Sequence, residues 1–276
     1  MEQRRFGTTG RNVPAIGQGT WYQDGEKRDA SVAALRRGAE LGMTHIDTAE
    51  MYLDGTAEEW VADAITGRRD EIFLVSKVLP SNASRRGTVQ ACEGSLARLC
   101  TDRLDCYLLH WRGGHALADT VAAFEQLHRE GKILSWGVSN FDERDLDELG
   151  ATPACNQVLY HLKERAIEHA VLPWCERAGA SLVAYSPFGH DTFLKPGTPG
   201  GRMLQEIADA HRATPRQVAL RFLLRRPGIF TIPKASSLAH VAENARAGDL
   251  RLTEDELQRI SRAFPLGKKP RQLPML

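Results

Sequence analysis

The chain has neither a long apolar run nor an excess of charge of one sign. Its 276 residues include 36 lysines and arginines against 35 aspartates and glutamates, for a net charge of +1. Binding to nucleic acid or anionic lipid usually needs a basic surface, so we expect neither partner. No apolar stretch is long enough to cross a membrane, and the initial MEQRRF lacks the apolar core of a signal peptide. These absences predict a cytoplasmic protein without membrane contact.

Cysteine is scarce, and metal-binding patterns are missing from the sequence. The five cysteines are an odd number without metal-site spacing, and the nine histidines include no His-Glu-x-x-His pattern. Cys106 and Cys155 fall inside strand-like apolar runs. We therefore expect reduced, mostly buried thiols and no bound metal.

Strand-like segments alternate with amphipathic helical segments along the whole chain. This alternation predicts a parallel sheet with helical crossovers. A chain of this length with eight such strands favours a closed (β/α)₈ TIM barrel, with residues 1–276 forming a single α/β domain. The eight candidate strands cover residues 14–20, 44–48, 72–77, 104–110, 134–139, 154–158, 181–186 and 228–233.

Several segments outside the strands have recognisable local signals. Residues 6–13 place a glycine-bearing turn between two short apolar pieces, which predicts a β-hairpin able to plug the amino-terminal end of the barrel. Residues 187–202 contain so many prolines and glycines that they predict a long loop without helix or strand. Helix starts are predicted at Asp142, at Thr214 before a proline, and at Thr253 in a capping box.

Four residues that ionise or donate a proton lie at or beyond the ends of predicted strands: Asp47, Tyr52, Lys77 and His110. In a parallel barrel those strand ends form one rim, so these side chains should converge on one pocket. A lysine beside a tyrosine favours the phenolate and lowers the tyrosine pKa, and an aspartate keeps the lysine charged. The set predicts a proton relay to a carbonyl oxygen, which the histidine helps to orient.

Each of these four residues also has a purely structural explanation. Asp47 could cap a helix, and Lys77 could merely pair with it at a strand end. Tyr52 could be a packing residue, and His110 could be a satisfied polar group near the surface. Their joint placement at one end of successive strands favours an active site.

Five motifs occur in an order that resembles the aldo-keto reductase family, from about Arg5 to Phe264. They are HIDTAEMY at 45–52, VSK at 75–77, LLHW at 108–111, GVSNF at 137–141 and IPK at 232–234. The resemblance implies an (α/β)₈ barrel that reduces aldehydes or ketones with a nicotinamide cofactor, usually NADPH. It also implies that Tyr52 is the proton donor, that Lys77 and Asp47 tune it, and that His110 positions the carbonyl.

The resemblance further implies that the cofactor lies extended along the rim. The segment GQGTWY at 17–22 lacks the third glycine of a Rossmann fingerprint, which agrees with this expectation. By resemblance, Ser139, Asn140 and Gln157 hold the carboxamide, and Tyr185 offers its ring face to the nicotinamide. The lysine and serine cluster that begins at Lys234 is expected to bind phosphate. The expected cofactor contacts are Thr20, Trp21, Ser139, Asn140, Gln157, Tyr185, Ser186, Pro187, Phe188, Gly189, Lys234, Ser236, Ser237, His240, Glu243 and Asn244.

Two positions weaken the expected preference for NADPH over NADH. The family often has arginine where His240 stands and serine where Ala235 stands, and histidine cannot make the bidentate phosphate contact of arginine. NADH is therefore a possible cofactor. An ordinary helix cap with a solvated face remains an alternative explanation for the cluster that begins at Lys234.

The expected substrate contacts are Trp21, Tyr52, His110 and Trp111. Indoles at the rim exclude water, although both tryptophans could instead be barrel packing. A short loop after Trp111 and a brief tail after Phe264 suggest a small or open pocket that favours short aldehydes and dicarbonyls. Arg112 could attract a carboxylate, but a solvated surface arginine is the preferred interpretation.

Two other function classes remain open from the sequence. A strand-end lysine can act as a nucleophile, so Lys77 could belong to a Schiff-base lyase, although Asp47 would keep it protonated. The chain could also be a redox sensor that binds the cofactor and signals through a partner. No heptad pattern or large apolar stripe is visible, so a monomer is the default expectation.

Overall fold

An eight-stranded parallel sheet lies at the centre of the structure, a computed structural model that describes residues 1–22, 25–190 and 193–276. Consecutive strands are neighbours throughout this sheet. In chain order its strands are β3 (Gln18–Gly19), β4 (His45–Asp47), β5 (Phe73–Val78), β6 (Cys106–Leu109), β7 (Trp136–Ser139), β8 (Cys155–Leu159), β9 (Ser181–Tyr185) and β10 (Ile229–Thr231).

The first and last strands of the sheet also join, which closes the ring. Parallel bridges connect Ile16 with Thr231 and Gly19 with Lys234. The backbone N–H of Gly17 donates to the Thr231 carbonyl at 2.8 Å, and that of Thr231 donates to the Ala15 carbonyl at 2.9 Å. The predicted (β/α)₈ barrel is confirmed.

Helices follow the strands and pack around the barrel. In the described part of the chain, one α-helix follows each of β3 to β8, two follow β9, and two follow β10. They are α1 (Arg28–Glu40), α2 (Thr56–Ile65), α3 (Arg85–Arg98), α4 (Leu117–Arg129), α5 (Glu143–Glu148), α6 (Val171–Ala178), α7 (Pro199–Ala210), α8 (Pro215–Leu223), α9 (Leu238–Arg246) and α10 (Glu254–Ala263). Among the described residues, no helix combines the length and apolarity needed to span a membrane.

Seven of the eight predicted strands match the observed strands to within two residues at each end, but the first prediction is wrong. Residues 14–20 do not form one strand, because Pro14 ends the hairpin strand β2 (Asn12–Pro14), where it pairs with Gln3. Ile16 already pairs with Thr231 of the barrel. The chain passes from hairpin to barrel between these two residues, which leaves only Gln18–Gly19 in β3.

The predicted amino-terminal hairpin is present, with β1 (Gln3–Arg5) antiparallel to β2. The fully buried Phe6 follows β1, and its ring centroid lies 4.7 Å from that of Phe73 and 5.0 Å from that of Phe230. Phe73 is the first residue of β5, and Phe230 is the middle residue of the three-residue strand β10. The hairpin therefore inserts an aromatic side chain into the amino-terminal end of the barrel.

The predicted loop at 187–202 is wrong over its last four residues, and Asp191 and Thr192 within it lie outside the described residues. Residues 199–202 form the first turn of α7. The Thr198 hydroxyl accepts from the Gly201 N–H at 3.1 Å, and Pro199 occupies the first helical turn, where the missing N–H costs nothing. Gly200 lies against the Phe264 ring, where a Cβ would approach to 2.8 Å. The proline and glycines thus begin a helix rather than prevent one.

The other local predictions agree with the structure. Asp142, Thr214 and Thr253 are N-caps, and each forms a complete capping box. Four of the five cysteines are buried, including the strand residues Cys106 and Cys155, whereas Cys100 is exposed.

Candidate active site

The carboxyl ends of β4, β5 and β6 bring the four predicted catalytic residues together. Asp47 is the last residue of β4, Lys77 lies near the end of β5, and His110 directly follows β6. Tyr52 begins a 3₁₀ turn in which Leu53 and Asp54 have positive φ angles, an uncommon conformation for residues other than glycine. Convergence at one rim is therefore observed, as parallel strands predict.

Lys77 is fully buried, and each of its three ammonium hydrogens has an acceptor. Its Nζ atom donates to Asp47 Oδ1 at 2.5 Å, to the Thr48 carbonyl at 2.8 Å and to Tyr52 Oη at 3.2 Å. An ammonium group has three donors, so this arrangement satisfies all of them. A Schiff base requires a free amine, and the geometry opposes that role for Lys77.

Burial and charge act in opposite directions on the ion pair of Lys77 with Asp47. Burial lowers the pKa of Lys77, but the neighbouring Asp47 and Tyr52 raise it above its ordinary value. Burial raises the pKa of Asp47 above its ordinary value, and the charge of Lys77 and the hydrogen bonds from Lys77 and Gln157 offset only part of that shift. Lys77 is therefore the fixed positive charge of the pocket.

The net pKa shift of Tyr52 is opposite to the sequence prediction. Lys77 lowers this pKa as expected, but burial is the larger effect and raises it above the ordinary value. The phenol is consequently protonated at neutral pH. Because Lys77 donates to the phenol oxygen, the hydrogen of Tyr52 is left for another acceptor.

His110 is a neutral imidazole in this environment. Burial, together with the charge of Lys77, lowers the pKa of His110 to about 2. Its Nδ1 atom is buried without a hydrogen-bond partner, and its ring meets the Tyr52 ring edge-on with centroids 5.6 Å apart. A neutral ring can donate one hydrogen bond and accept another, as orienting a carbonyl oxygen requires.

A second hydrogen-bond network lies on β7, β8 and β9. Asn140 Nδ2 donates to the Ser139 hydroxyl and to the His110 carbonyl, both at 3.2 Å. Asn140 Oδ1 accepts from the Tyr185 hydroxyl at 2.8 Å. Gln157 Nε2 donates to Asp47 Oδ2 at 2.7 Å, a link to the lysine ion pair that the sequence did not predict. These contacts fix the amide side chains around the cavity.

These residues surround one cavity of about 720 Å³, a volume that includes space open to solvent. All four predicted substrate contacts line it, as do eight of the sixteen predicted cofactor contacts. From these two predictions together, the lining includes Thr20, Trp21, Tyr52, His110, Trp111, Ser139, Asn140, Gln157, Tyr185, Ser186 and Lys234, and the predicted catalytic residue Asp47 lines it as well.

The other predicted cofactor residues lie outside this cavity. Phe188 packs edge-on against Phe193 with centroids 5.5 Å apart, and with Pro187 it lines a separate small cavity. Gly189 donates to the Ser186 carbonyl in a tight turn. The remaining ones lie at the start of α9 or along it: Ser236, Ser237, His240, Glu243 and Asn244.

Part of the α9 cluster has structural partners of its own. The Ser237 hydroxyl caps α9 by accepting from the His240 N–H at 3.2 Å, as the helix-cap alternative predicts. Glu243 Oε1 accepts from the Thr214 hydroxyl at 2.6 Å. Lys234 connects this region to the catalytic cavity, because it also lines that cavity.

Sequence reasoning missed four residues that line the cavity: Gly19, Met51, Ile232 and Leu276. Met51 lies inside the motif at 45–52 and Ile232 inside the motif at 232–234, but only their neighbours were predicted as site residues. Leu276 had no local signal, because its position depends on how the tail folds back. Its N–H donates to the Tyr185 hydroxyl at 3.3 Å, so the tail reaches the rim of the cavity.

Arg112 agrees with its preferred interpretation. It forms a bidentate pair with Glu148 at 2.8 and 2.9 Å and also contacts Asp145 at 3.2 Å. It is a partly exposed ion-paired residue and does not line the cavity.

Known proteins are similar to this chain in both sequence and fold. A model of the Aldo/keto reductase family matches residues 15–264. Methylglyoxal reductase YeaE of Escherichia coli (strain K12) is 46% identical over 284 residues, covering 100% of both chains. Glyoxal reductase of Bacillus subtilis (strain 168) is 34% identical over 262 residues, covering 91% of this chain and 89% of that protein.

A solved structure gives the same result. The crystal structure of an aldo/keto reductase from Klebsiella pneumoniae in complex with NADP and acetate has a TM-score of 0.93 and 45% identity, covering 100% of both chains. The chain belongs to the aldo/keto reductase family. The predicted oxidoreductase class is confirmed with it.

Proposed function

We propose that this chain reduces small aldehydes and dicarbonyls with NADPH, with Tyr52 as the proton donor. The observation that carries the proposal is the contact between Lys77 Nζ and Tyr52 Oη at 3.2 Å, beside a neutral His110 in the same cavity. A protonated phenol next to a fixed cation and a hydrogen-bonding imidazole is suited to protonating a carbonyl oxygen.

The residues of β7 to β9 fit the nicotinamide end of the cofactor. Ser139, Asn140 and Gln157 supply amide and hydroxyl groups for a carboxamide, and the Tyr185 ring lines the same cavity. The hydrogen bond from Tyr185 to Asn140 holds two of these groups in place before any ligand arrives. When bound, NADPH supplies the hydride that the carbonyl carbon accepts.

The proton moves from the Tyr52 hydroxyl to the carbonyl oxygen. Loss of that proton leaves a phenolate, which is stabilised by the Lys77 ammonium 3.2 Å away. Asp47 keeps Lys77 charged, and Gln157 holds Asp47 in place by donating a hydrogen bond to the other carboxylate oxygen of Asp47. His110 orients the substrate oxygen. Because burial raises the pKa of Tyr52, the hydroxyl is protonated at the start of each turnover.

A small substrate suits the walls of the cavity. Trp21, Met51 and Trp111 lie around it, and Leu276 reaches its rim. The curated relatives are named methylglyoxal reductase and glyoxal reductase, and both names describe two- or three-carbon dicarbonyls. We extend that substrate class to this chain.

The experiment is a steady-state assay of the purified chain with NADPH and a panel of carbonyl compounds. Methylglyoxal, glyoxal and a bulky steroid ketone should be compared by the loss of nicotinamide absorbance. We expect turnover of the two dicarbonyls, with a kcat/KM at least tenfold above that of the steroid. The absence of turnover with every carbonyl in the panel would rule the proposal out.

A further inference from the structure

The loop after β3 contacts Lys234, which lines the catalytic cavity and lies just before α9. Glu26 forms an ion pair with Lys234, and both side chains are largely shielded from solvent, with exposures of 23% and 29%. Lys234 Nζ also lies 5.5 Å from the centre of the Tyr22 ring. Two residues of this loop therefore contact the ammonium group of Lys234.

Glu26 is the only carboxylate among the described residues that forms an ion pair with Lys234. Burial raises the pKa of Glu26, but the hydrogen bond from Lys234 and the nearby Ser236 hydroxyl together outweigh burial. The net pKa of Glu26 is therefore below its ordinary value. Glu26 is consequently ionised at neutral pH. Its negative charge occupies the position that an incoming phosphate would need beside Lys234.

We propose that Glu26 competes with the 2′-phosphate of NADPH for Lys234 and so reduces the preference for NADPH over NADH. The inference rests on the proposed function, in which Lys234 binds a cofactor phosphate. Glu26 takes one of the three ammonium hydrogens and partly neutralises the charge of Lys234, so a phosphate at Lys234 would be repelled by the neighbouring carboxylate unless Glu26 moves away. NADH has a 2′-hydroxyl at that position and requires no displacement.

The residue at position 240 acts in the same direction. His240 offers no bidentate contact to a phosphate, which increases the share of phosphate binding that depends on Lys234. Competition at Lys234 then has a larger effect on selectivity than it would beside an arginine. Glu26 is thus a specificity-determining residue for the cofactor, distant from the reacting atoms.

The test uses two cofactor fragments that differ by a single phosphate, 2′,5′-ADP and 5′-AMP. Calorimetric titration of the full chain gives a Kd for each, and their ratio isolates the contribution of the 2′-phosphate. For Glu26→Gln we expect the Kd of 2′,5′-ADP to fall about fivefold and that of 5′-AMP to change by less than about twofold. Glu40→Gln is the control, because Glu40 pairs with Arg37 on the surface of α1, and it should leave both values unchanged.

A double-mutant cycle with Lys234→Met identifies the route of the effect. In the Lys234→Met background, Glu26→Gln should no longer change the Kd ratio. An unchanged or smaller preference for 2′,5′-ADP in Glu26→Gln, or an equal gain without Lys234, overturns the inference. If these results occur in a chain that binds NADPH normally, the proposed function stands. A wild-type chain that binds no NADPH overturns both.

Discussion

Lys77 and Asp47 depend on each other because neither is exposed to water. The ammonium group has three acceptors within 3.2 Å, and each carboxylate oxygen of Asp47 has a donor. Removing one charge of a buried pair leaves the other without compensation, which costs far more than losing an exposed pair. The pair that tunes Tyr52 is therefore also part of the stability of the barrel.

We predict that Lys77→Met lowers the free energy of unfolding by about 3 to 5 kcal/mol at pH 7, because Asp47 is then buried and unpaired. Urea denaturation gives the measurement. Lys132→Met is the matched control, since Lys132 pairs with Glu93 and Glu130 near the surface, and it should cost less than about 1 kcal/mol. Equal losses for the two variants would contradict a buried pair at Lys77.

The sequence predicted which residues converge and that Lys77 contacts Asp47 and Tyr52, but it did not predict the net effect on the pKa of Tyr52. Strand-end spacing was sufficient to place Asp47, Lys77 and His110 on one rim, because parallel strands share their carboxyl ends. The net pKa of Tyr52 was predicted in the wrong direction, because it depends on burial by distant segments. The partners of Gln157 and Lys234 were likewise invisible, since Asp47 and Glu26 are remote from them in sequence.

At the scale of elements, local capping signals were the most reliable guide. The three predicted N-caps are all capping boxes, because each depends only on residues three positions apart. Helix α7 was missed, although Thr198 and Pro199 are also favourable start residues. The surrounding prolines and glycines indicated a loop, and only packing of Gly200 against Phe264 shows why glycine is required there.

We predict that Thr198→Ala destabilises the start of α7, costing about 1 kcal/mol in the free energy of unfolding. The lost hydroxyl leaves the Gly201 N–H without its acceptor, so hydrogen exchange at that amide should become faster. Thr198→Ser keeps the hydroxyl and should retain both the stability and the protection of wild type. Unchanged exchange in Thr198→Ala would show that the cap contributes nothing.

At the scale of the whole molecule, the closed barrel contains a buried histidine that takes no part in the proposed chemistry. His45 is fully buried, and neither ring nitrogen has a hydrogen-bond partner. Its ring contacts Phe6, Phe73 and Phe230 at the plugged end. Burial, with a contribution from the charge of Lys77, lowers the pKa of His45 to about 3.

This depressed pKa makes the folded state sensitive to acid. Below about pH 6.5 the unfolded chain binds a proton at His45 that the folded chain does not bind until about pH 3, so stability falls as pH falls through this window. For one histidine the loss at pH 5 is about 2 kcal/mol. His45→Leu should remove this contribution.

We predict that His45→Leu loses about 2 kcal/mol less than wild type when the pH changes from 7 to 5. Denaturant titrations at the two pH values give the difference. The exposed His128→Leu is the control and should show the wild-type pH dependence. The same pH dependence in His45→Leu as in wild type would contradict a neutral buried imidazole.

The most direct test of the central claim is the comparison of Tyr52→Phe with wild type in reduction of methylglyoxal by NADPH. We predict that kcat falls by about 10²- to 10⁴-fold while the Kd for NADPH stays within about threefold, because only the proton donor is lost. Tyr107→Phe is the control, since Tyr107 is buried against Phe124 away from the cavity, and it should keep wild-type turnover. A Tyr52→Phe enzyme within tenfold of wild-type kcat would contradict the role of Tyr52 and favour a chain that only senses the cofactor.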